Sequence, residues 1–223
     1  MRIVALAALA VALAGCSSAS SSSGSATVWV TRDRGSVVLH EAQVPAGESA
    51  LQALDRVAAV KTRFAGRYVR GVDGVSEHGR RAWFYYVNGY LADRSAGDYR
   101  LRAGDVEWWD YRTWRDPLDD AVVAGAFPEP LLHGYDGRRR RTVVISFDRA
   151  LGRQVARLVR GRLATVAPPD ANVVELVRTA RPRAEVSLRR PGAGSPVRFL
   201  LDAGFARRLL ARPGLLRQRY RVP

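Results

Sequence analysis

Apolar and polar positions alternate over residues 27–31 and again over 36–43, with the turn-forming Asp33-Arg34-Gly35 between them. That pattern predicts two strands joined by a tight connection. Pro45-Ala46-Gly47 then breaks the chain. Leu51, Leu54, Val57 and Ala58 follow at i, i+3, i+6 and i+7, which predicts an amphipathic helix over 48–60 with its apolar stripe towards a sheet. Residues 68–75 read as a further strand. The densest apolar stretch comes next, Trp83-Phe84-Tyr85-Tyr86-Val87, followed after a gap by Val106-Glu107-Trp108-Trp109-Asp110-Tyr111. Asn88-Gly89 between β-formers tolerates positive φ at both positions and predicts a two-residue hairpin turn.

Side chains alternate across a strand, so Trp83, Tyr85 and Val87 share one face, and Phe84 and Tyr86 the other. In the later run Val106, Trp108 and Asp110 face one way, while Glu107, Trp109 and Tyr111 face the opposite way. Four of the five tryptophans and five of the eight tyrosines lie between residues 83 and 114. One helix covers one face of a small sheet, so some of these rings are expected to stay reachable. Trp83, Tyr85, Tyr86, Asn88, Trp108, Trp109 and Tyr111 are the candidate ligand-binding group, with the binding face left open between the two. The competing reading makes all of them core or turn residues.

The block W-F-Y-Y-V-N-G, then Tyr99 and L-x-x-G-D-x-x-x-W from Leu101 to Trp109, resembles a β-grasp domain. It is similar to the C-terminal domain of the transcobalamin and intrinsic factor family and to bacterial secreted proteins built on it. The likeness covers residues 26–116. It implies a mixed sheet with one packed helix and a ligand-binding role without catalysis, cobalamin or a related corrinoid being the first candidate ligand.

Beyond residue 137 the periodicity changes. A strand is predicted over 142–147 and a helix over 148–163 with Leu151, Val155, Leu158 and Val159 as its stripe. Short strands follow at 173–177, 184–188 and 197–201, and a helix at 203–211. The fold class is thus α+β, a β-grasp domain followed by a small basic α/β domain. Between the two, residues 117–137 form a connector rich in Pro and Gly, ordered enough to dock.

Composition adds location. Met1-Arg2 precedes an alanine-rich apolar run over 3–12, too short to span a bilayer and suited to a signal peptide. It ends in Leu13-Ala14-Gly15-Cys16, which resembles the bacterial lipoprotein cleavage box. The resemblance implies removal of residues 1–15, lipid attachment at Cys16, and a protein held at the outer face of the cytoplasmic membrane, with a transporter component as a possible partner. Cys16 is the only cysteine, so the folded part has no internal disulfide. Residues 17–25 are serines with small partners, a tether with an expected reach of roughly 15–20 Å.

Charge divides the chain. Residues 17–136 carry 14 Lys and Arg against 16 Asp and Glu, whereas 137–223 carry 21 arginines against five acids. Three readings compete: solvated helix faces, attraction to an anionic membrane, and nucleic-acid binding, the last set aside for an exported protein. His40, His78 and His133 stand singly without metal-ligand spacing. Gly192-x-Gly194 does not open a helix as a phosphate loop would. Asp105 reads as a turn cap, and no nucleophile–base arrangement is recognisable, so an enzyme is not expected. The expected function is capture of a small organic ligand for uptake; the alternative is a cell-envelope protein–protein interaction module.

Overall fold

The computed structural model describes residues 24–116, 120–181 and 183–220. Residues 1–23, which hold the expected signal peptide, Cys16 and most of the serine run, lie outside the described residues. The fold is α+β, as the periodicities predict, and is built on two five-stranded sheets.

Strands β1 (Ser25–Arg32) and β2 (Val37–Pro45) pair antiparallel across the expected turn. Gly35 in that turn has φ +79° and no room for a side chain, since a Cβ there would lie 1.6 Å from the Gln218 carbonyl oxygen. Helix α1 (Ala50–Asp55) starts with a capping box: Ser49 Oγ accepts from the Gln52 N–H at 3.2 Å, and the Gln52 side chain accepts from the Ser49 N–H at 3.0 Å. The helix is shorter than its periodicity predicts. Its expected last turn is drawn instead into β3 (Val60–Arg63), because Ala59 exchanges hydrogen bonds with Asp73, donating to Asp73 Oδ1 at 2.8 Å and accepting from the Asp73 N–H at 2.9 Å. Sheet pairing here overrides a moderate helical pattern. With β4 (Tyr68–Val72) and β5 (Val75–Ser76), β3 forms a small antiparallel sheet.

Strand β6 (Arg81–Val87) carries the first aromatic run and turns through Asn88 (φ +50°) and Gly89 (φ +83°) into the two-residue β7 (Tyr90–Leu91). Strand β8 (Val106–Thr113) carries the second aromatic run and lies between β6, antiparallel, and β1, parallel. The first sheet thus has the order β2-β1-β8-β6-β7. Two strands, a helix, then strands that return to lie beside the first is the β-grasp connectivity that the sequence resemblance implies.

The connector holds a 3-10 turn at Ala124–Ala126 and a short helix, α2 (Glu129–Leu132), with Leu131 fully buried. The second sheet comprises β9 (Thr142–Ser146), β10 (Arg162–Leu163), β11 (Asn172–Val177), β12 (Ala184–Leu188) and β13 (Val197–Asp202), in the order β10-β9-β11-β13-β12. All neighbours are parallel except β12 with β13. Helices α3 (Arg149–Leu158) and α4 (Ala203–Ala211) pack on it, each capped by an aspartate, Asp148 and Asp202. Helix α3 stops short of the predicted residue 163. Arg160 takes φ +47°, the Gly161 N–H bonds Ala156 O at 2.8 Å and the Arg160 N–H bonds Arg157 O at 3.2 Å, a Schellman stop that frees Arg162-Leu163 to pair with β9.

One apolar core runs through both sheets, joined where Phe127 meets Phe199 edge-on at 5.2 Å and where the Tyr90 hydroxyl donates to Ser195 O at 3.1 Å. The chain end then returns to the first sheet. Gln218 donates from its backbone to Gly125 O at 3.1 Å and from its side chain to Glu41 at 3.0 Å, and Tyr220 packs on Trp108.

Candidate functional site

The register of β6 against β8 pairs Trp83 with Tyr111 and Tyr85 with Trp109 on one face, and Tyr86 with Trp108 on the other. This is the face division that alternation predicts. Both faces are largely covered, and of the rings in β6 and β8 Phe84 and Tyr85 stay partly exposed, so the rings expected to be reachable reduce to these two. The face bearing Tyr86 and Trp108 lies under the chain end: Tyr220 meets Trp108 at 5.1 Å and Tyr86 at 5.8 Å, both edge-on, and Arg217 lies over Trp29 at 5.2 Å. Arg112, with no side-chain exposure, donates to the Tyr86 hydroxyl at 3.0 Å and lies 3.9 Å over the Phe84 ring. Burial pushes the Tyr86 phenol up to about 12. Trp108 donates its indole N–H to Thr31 Oγ1 at 2.8 Å. Tyr86 and Trp108 are fully buried and so belong to the packing of this face.

Asn88 is fully buried as well, and its amide ties three elements together. It donates to Asp105 Oδ1 at 2.7 Å and Gly134 O at 2.9 Å, and accepts from the Val106 N–H at 2.8 Å. Its neighbour Asp105 accepts the Arg102 N–H at 2.8 Å, the turn-capping role expected for it. Asp110 likewise accepts from Thr31 Oγ1 at 2.6 Å and from the Arg34 and Gly35 amides, closing the β1–β2 turn. Desolvation raises both carboxyls above the usual carboxylate range.

The opposite face presents the rest of the group. The Trp83 indole donates to Val75 O at 2.8 Å and the Tyr111 hydroxyl to Ser76 O at 2.9 Å, so both fasten the small three-stranded sheet to the large one. Tyr85 stacks on Trp109, and the Tyr85 hydroxyl donates to Arg94 O. The Trp109 N–H donates to Glu107 Oε1 at 2.5 Å. Glu107 is completely buried, its Oε2 has no hydrogen-bond partner among the described residues, and desolvation holds its pKa well above the usual glutamate value. Of the seven predicted residues Tyr85 alone is partly exposed.

Three of the seven, Trp83, Tyr85 and Trp109, line a cleft of about 570 Å³ that opens along the outer side of β6. Its other walls come from Tyr68, Phe84, Leu91 and Trp114, with Arg67 and Arg94 among its lining residues. A volume of this size, mostly apolar with a few polar groups, is typical of small-molecule sites. Alternation along β6 and β8 could not find Tyr68 or Trp114. They reach the cleft from the small sheet and from the residue after β8; the strand pattern over 68–75 was the trace of Tyr68 in sequence, and the concentration of tryptophan up to residue 114 that of Trp114. The outer edge of β6 is largely satisfied from within the chain: Arg81 exchanges backbone hydrogen bonds with His78 at 2.9 and 3.0 Å, the Tyr85 carbonyl accepts the Ala92 N–H at 3.1 Å, and β7 pairs with Tyr86 and Val87.

His133 pairs with Glu129 at 2.5 Å and His40 with Asp73 at 2.5 Å. Among the described residues no group of three or more His, Cys, Asp or Glu side chains could hold a metal ion.

A family model described as a domain of unknown function, DUF4430, matches residues 47–113, from just before α1 to the end of β8. Among solved structures, a proposed metal-binding protein from Ruminococcus gnavus ATCC 29149 is similar with a TM-score of 0.34 and 14% identity, over 41% of this chain and 99% of that one. Haptocorrin in complex with Cbi is similar with a TM-score of 0.35 and 17% identity, over 41% of this chain and 25% of haptocorrin. The chain therefore spans about a quarter of haptocorrin's length. No curated protein matches the sequence.

Proposed function

We propose that the protein is an extracytoplasmic binding lipoprotein, anchored through Cys16, whose cleft beside β6 captures a small ring-bearing organic ligand for uptake. The observation that carries this reading is the aromatic lining of the cleft, with Trp83, Tyr85 and Trp109 joined by Tyr68, Phe84 and Trp114. Rings of this kind stack on flat or apolar ligand faces. The guanidinium groups of Arg67 and Arg94 suit amide or carboxylate groups at a ligand's edge. A corrinoid is the first candidate because of the sequence resemblance of residues 26–116. Binding without catalysis fits the carboxylates nearby, since Asp105 and Asp110 are engaged with turn amides and Glu107 is sealed in the core. Calorimetric titration of residues 17–223 with cobalamin, cobinamide and haem tests the reading. Heat of binding, with thermal stabilisation by the same compound, supports it; no heat with any of the three rejects it.

A second reading is favoured by the make-up of the same cleft. Its tryptophan, tyrosine and arginine lining is of the residue types enriched in interface hot spots, which suits the side chains of a partner protein. That would make the same surface an envelope interaction module with no small ligand.

A further inference from the structure

The arginines of the C-terminal half are not spread evenly with respect to its acids. All five acids of residues 137–223 are engaged elsewhere: Asp148 with Arg207, Asp170 with Arg190, Glu175 with Arg198, Glu185 with Arg183, and Asp202 with Thr179 and the Phe205 amide. Arg139, Arg140, Arg141, Arg160 and Arg162 line a separate concavity of about 400 Å³, at the start of β9 and β10 and the end of α3. Among the described residues none of these five pairs with a carboxylate in a salt bridge. Two are held instead by backbone carbonyls, which orient a guanidinium without neutralising it. Arg139 donates to Leu131 O at 3.2 Å and Arg160 O at 2.8 Å, and Arg140 donates to Gly194 O at 2.8 Å. The nearby Glu129 is already shared with His133.

Contacts link the start of β1 to α2, the helix that borders this concavity. Ser25 O accepts the Gly104 N–H at 2.8 Å, and Gly104 lies so close to His133 that a Cβ would come within 2.6 Å of its Nε2. His133 follows Leu132 at the end of α2, the helix whose Leu131 carbonyl holds Arg139.

We propose that the Arg139–Arg162 concavity is a docking site for the phosphate groups of an anionic lipid bilayer. Five guanidinium groups without carboxylate partners suit oxyanions, to which arginine donates in a planar fork. Several basic residues brought together at an anionic surface give attraction that salt weakens. The choice of a bilayer as occupant rests on the anchored, extracytoplasmic reading of the chain; the unpaired cluster does not.

Residues 17–223, which include every described residue but not Cys16, separate the two. Their sedimentation with vesicles of 30% phosphatidylglycerol in phosphatidylcholine, and with phosphatidylcholine alone, is measured at low and high salt. Association only with the anionic vesicles, weakening as salt rises, is expected. The triple variant Arg141→Gln, Arg160→Gln, Arg162→Gln should lose about tenfold or more of that association. Removing the same charge at the opposite ends of the strands, with Arg149→Gln, Arg178→Gln and Arg207→Gln, should cost far less. Circular dichroism checks both folds, and the single exposed Arg141→Glu provides the same comparison if the triple variant does not fold. Equal losses in the two triple variants would overturn the site in favour of diffuse charge. Binding of inorganic pyrophosphate with no vesicle association would overturn the bilayer as its occupant.

Discussion

The phenol ring of Tyr85 lies almost flat on the indole of Trp109, with centroids 4.8 Å apart and planes 19° from parallel. Tyr85 is the partly exposed member of the stack, while Trp109 is 2% exposed and its N–H is committed to Glu107. One ring therefore meets whatever enters the cleft, and the other supports it from the core.

The two should separate on mutation. Tyr85→Ala is expected to weaken ligand binding several-fold, since each aromatic contact contributes about 0.5–1.5 kcal/mol beyond buried area. Trp109→Ala should instead destabilise the fold by about 3–5 kcal/mol, the usual cost of deleting a buried large aromatic. Calorimetry for binding and urea unfolding for stability read the two effects independently.

Glu107 gives a pH prediction whose sign is fixed by its environment. Burial raises its pKa in the folded state, so the folded protein holds a proton that the unfolded chain releases above about 4.5. Its contribution to stability is full below that value and is lost as pH rises through the folded-state pKa. Glu107→Gln keeps an acceptor for the Trp109 N–H but cannot ionise. Urea midpoints should show the variant gaining on the parent protein between pH 5 and pH 8; an unchanged difference across that range would contradict the buried, neutral acid.

Tyr220 closes the Trp108 face from 112 positions further along the chain, so its loss should be felt in the first sheet. Tyr220→Ala is expected to lower stability by about 3 kcal/mol and to shift tryptophan emission to the red as Trp108 and Trp29 meet water. A fragment ending at residue 116 lacks this cover, and it should unfold at lower urea than the whole chain. Equal midpoints would mean that the contact contributes nothing.

Cys16→Ser tests the anchor. The substituted protein should leave the membrane fraction or keep its leader uncleaved. A cleaved, unacylated form that stayed with the membrane would exclude the lipid as the attachment, and binding of residues 17–223 to vesicles would then name the arginines as the alternative.

Local pattern was sufficient for much of the fold. Alternation placed β1, β2, β6 and β8 and their faces, Asn88-Gly89 marked the hairpin, and residues 203–211 were legible as helix α4 from end to end. What it missed came from tertiary pairing. The Ala59–Asp73 exchange shortened α1, and Arg160 in a left-handed conformation ended α3 at Leu158, five residues before the expected 163. For the site, period-two alternation showed which rings share a face but not which face is covered. Tyr220 and Arg112 cover one side and the small sheet the other, and no local signal in β6 or β8 reports either. Hence Tyr86, Asn88 and Trp108, which look like binding residues in sequence, are packed inside, while Tyr68 and Trp114 stand at the cleft.

The return of residues 217–220 to the first sheet gives the chain an order of completion. A protein made from its N-terminus has β1, β6 and β8 in hand long before the segment that shields Trp29, Tyr86 and Trp108 is synthesised. Until that segment follows, three large rings form a sticky surface on an otherwise paired sheet. Residues 217–220 thus act as a seal, and a chain cut before them bares Trp29, Tyr86 and Trp108 to every chaperone and protease it meets.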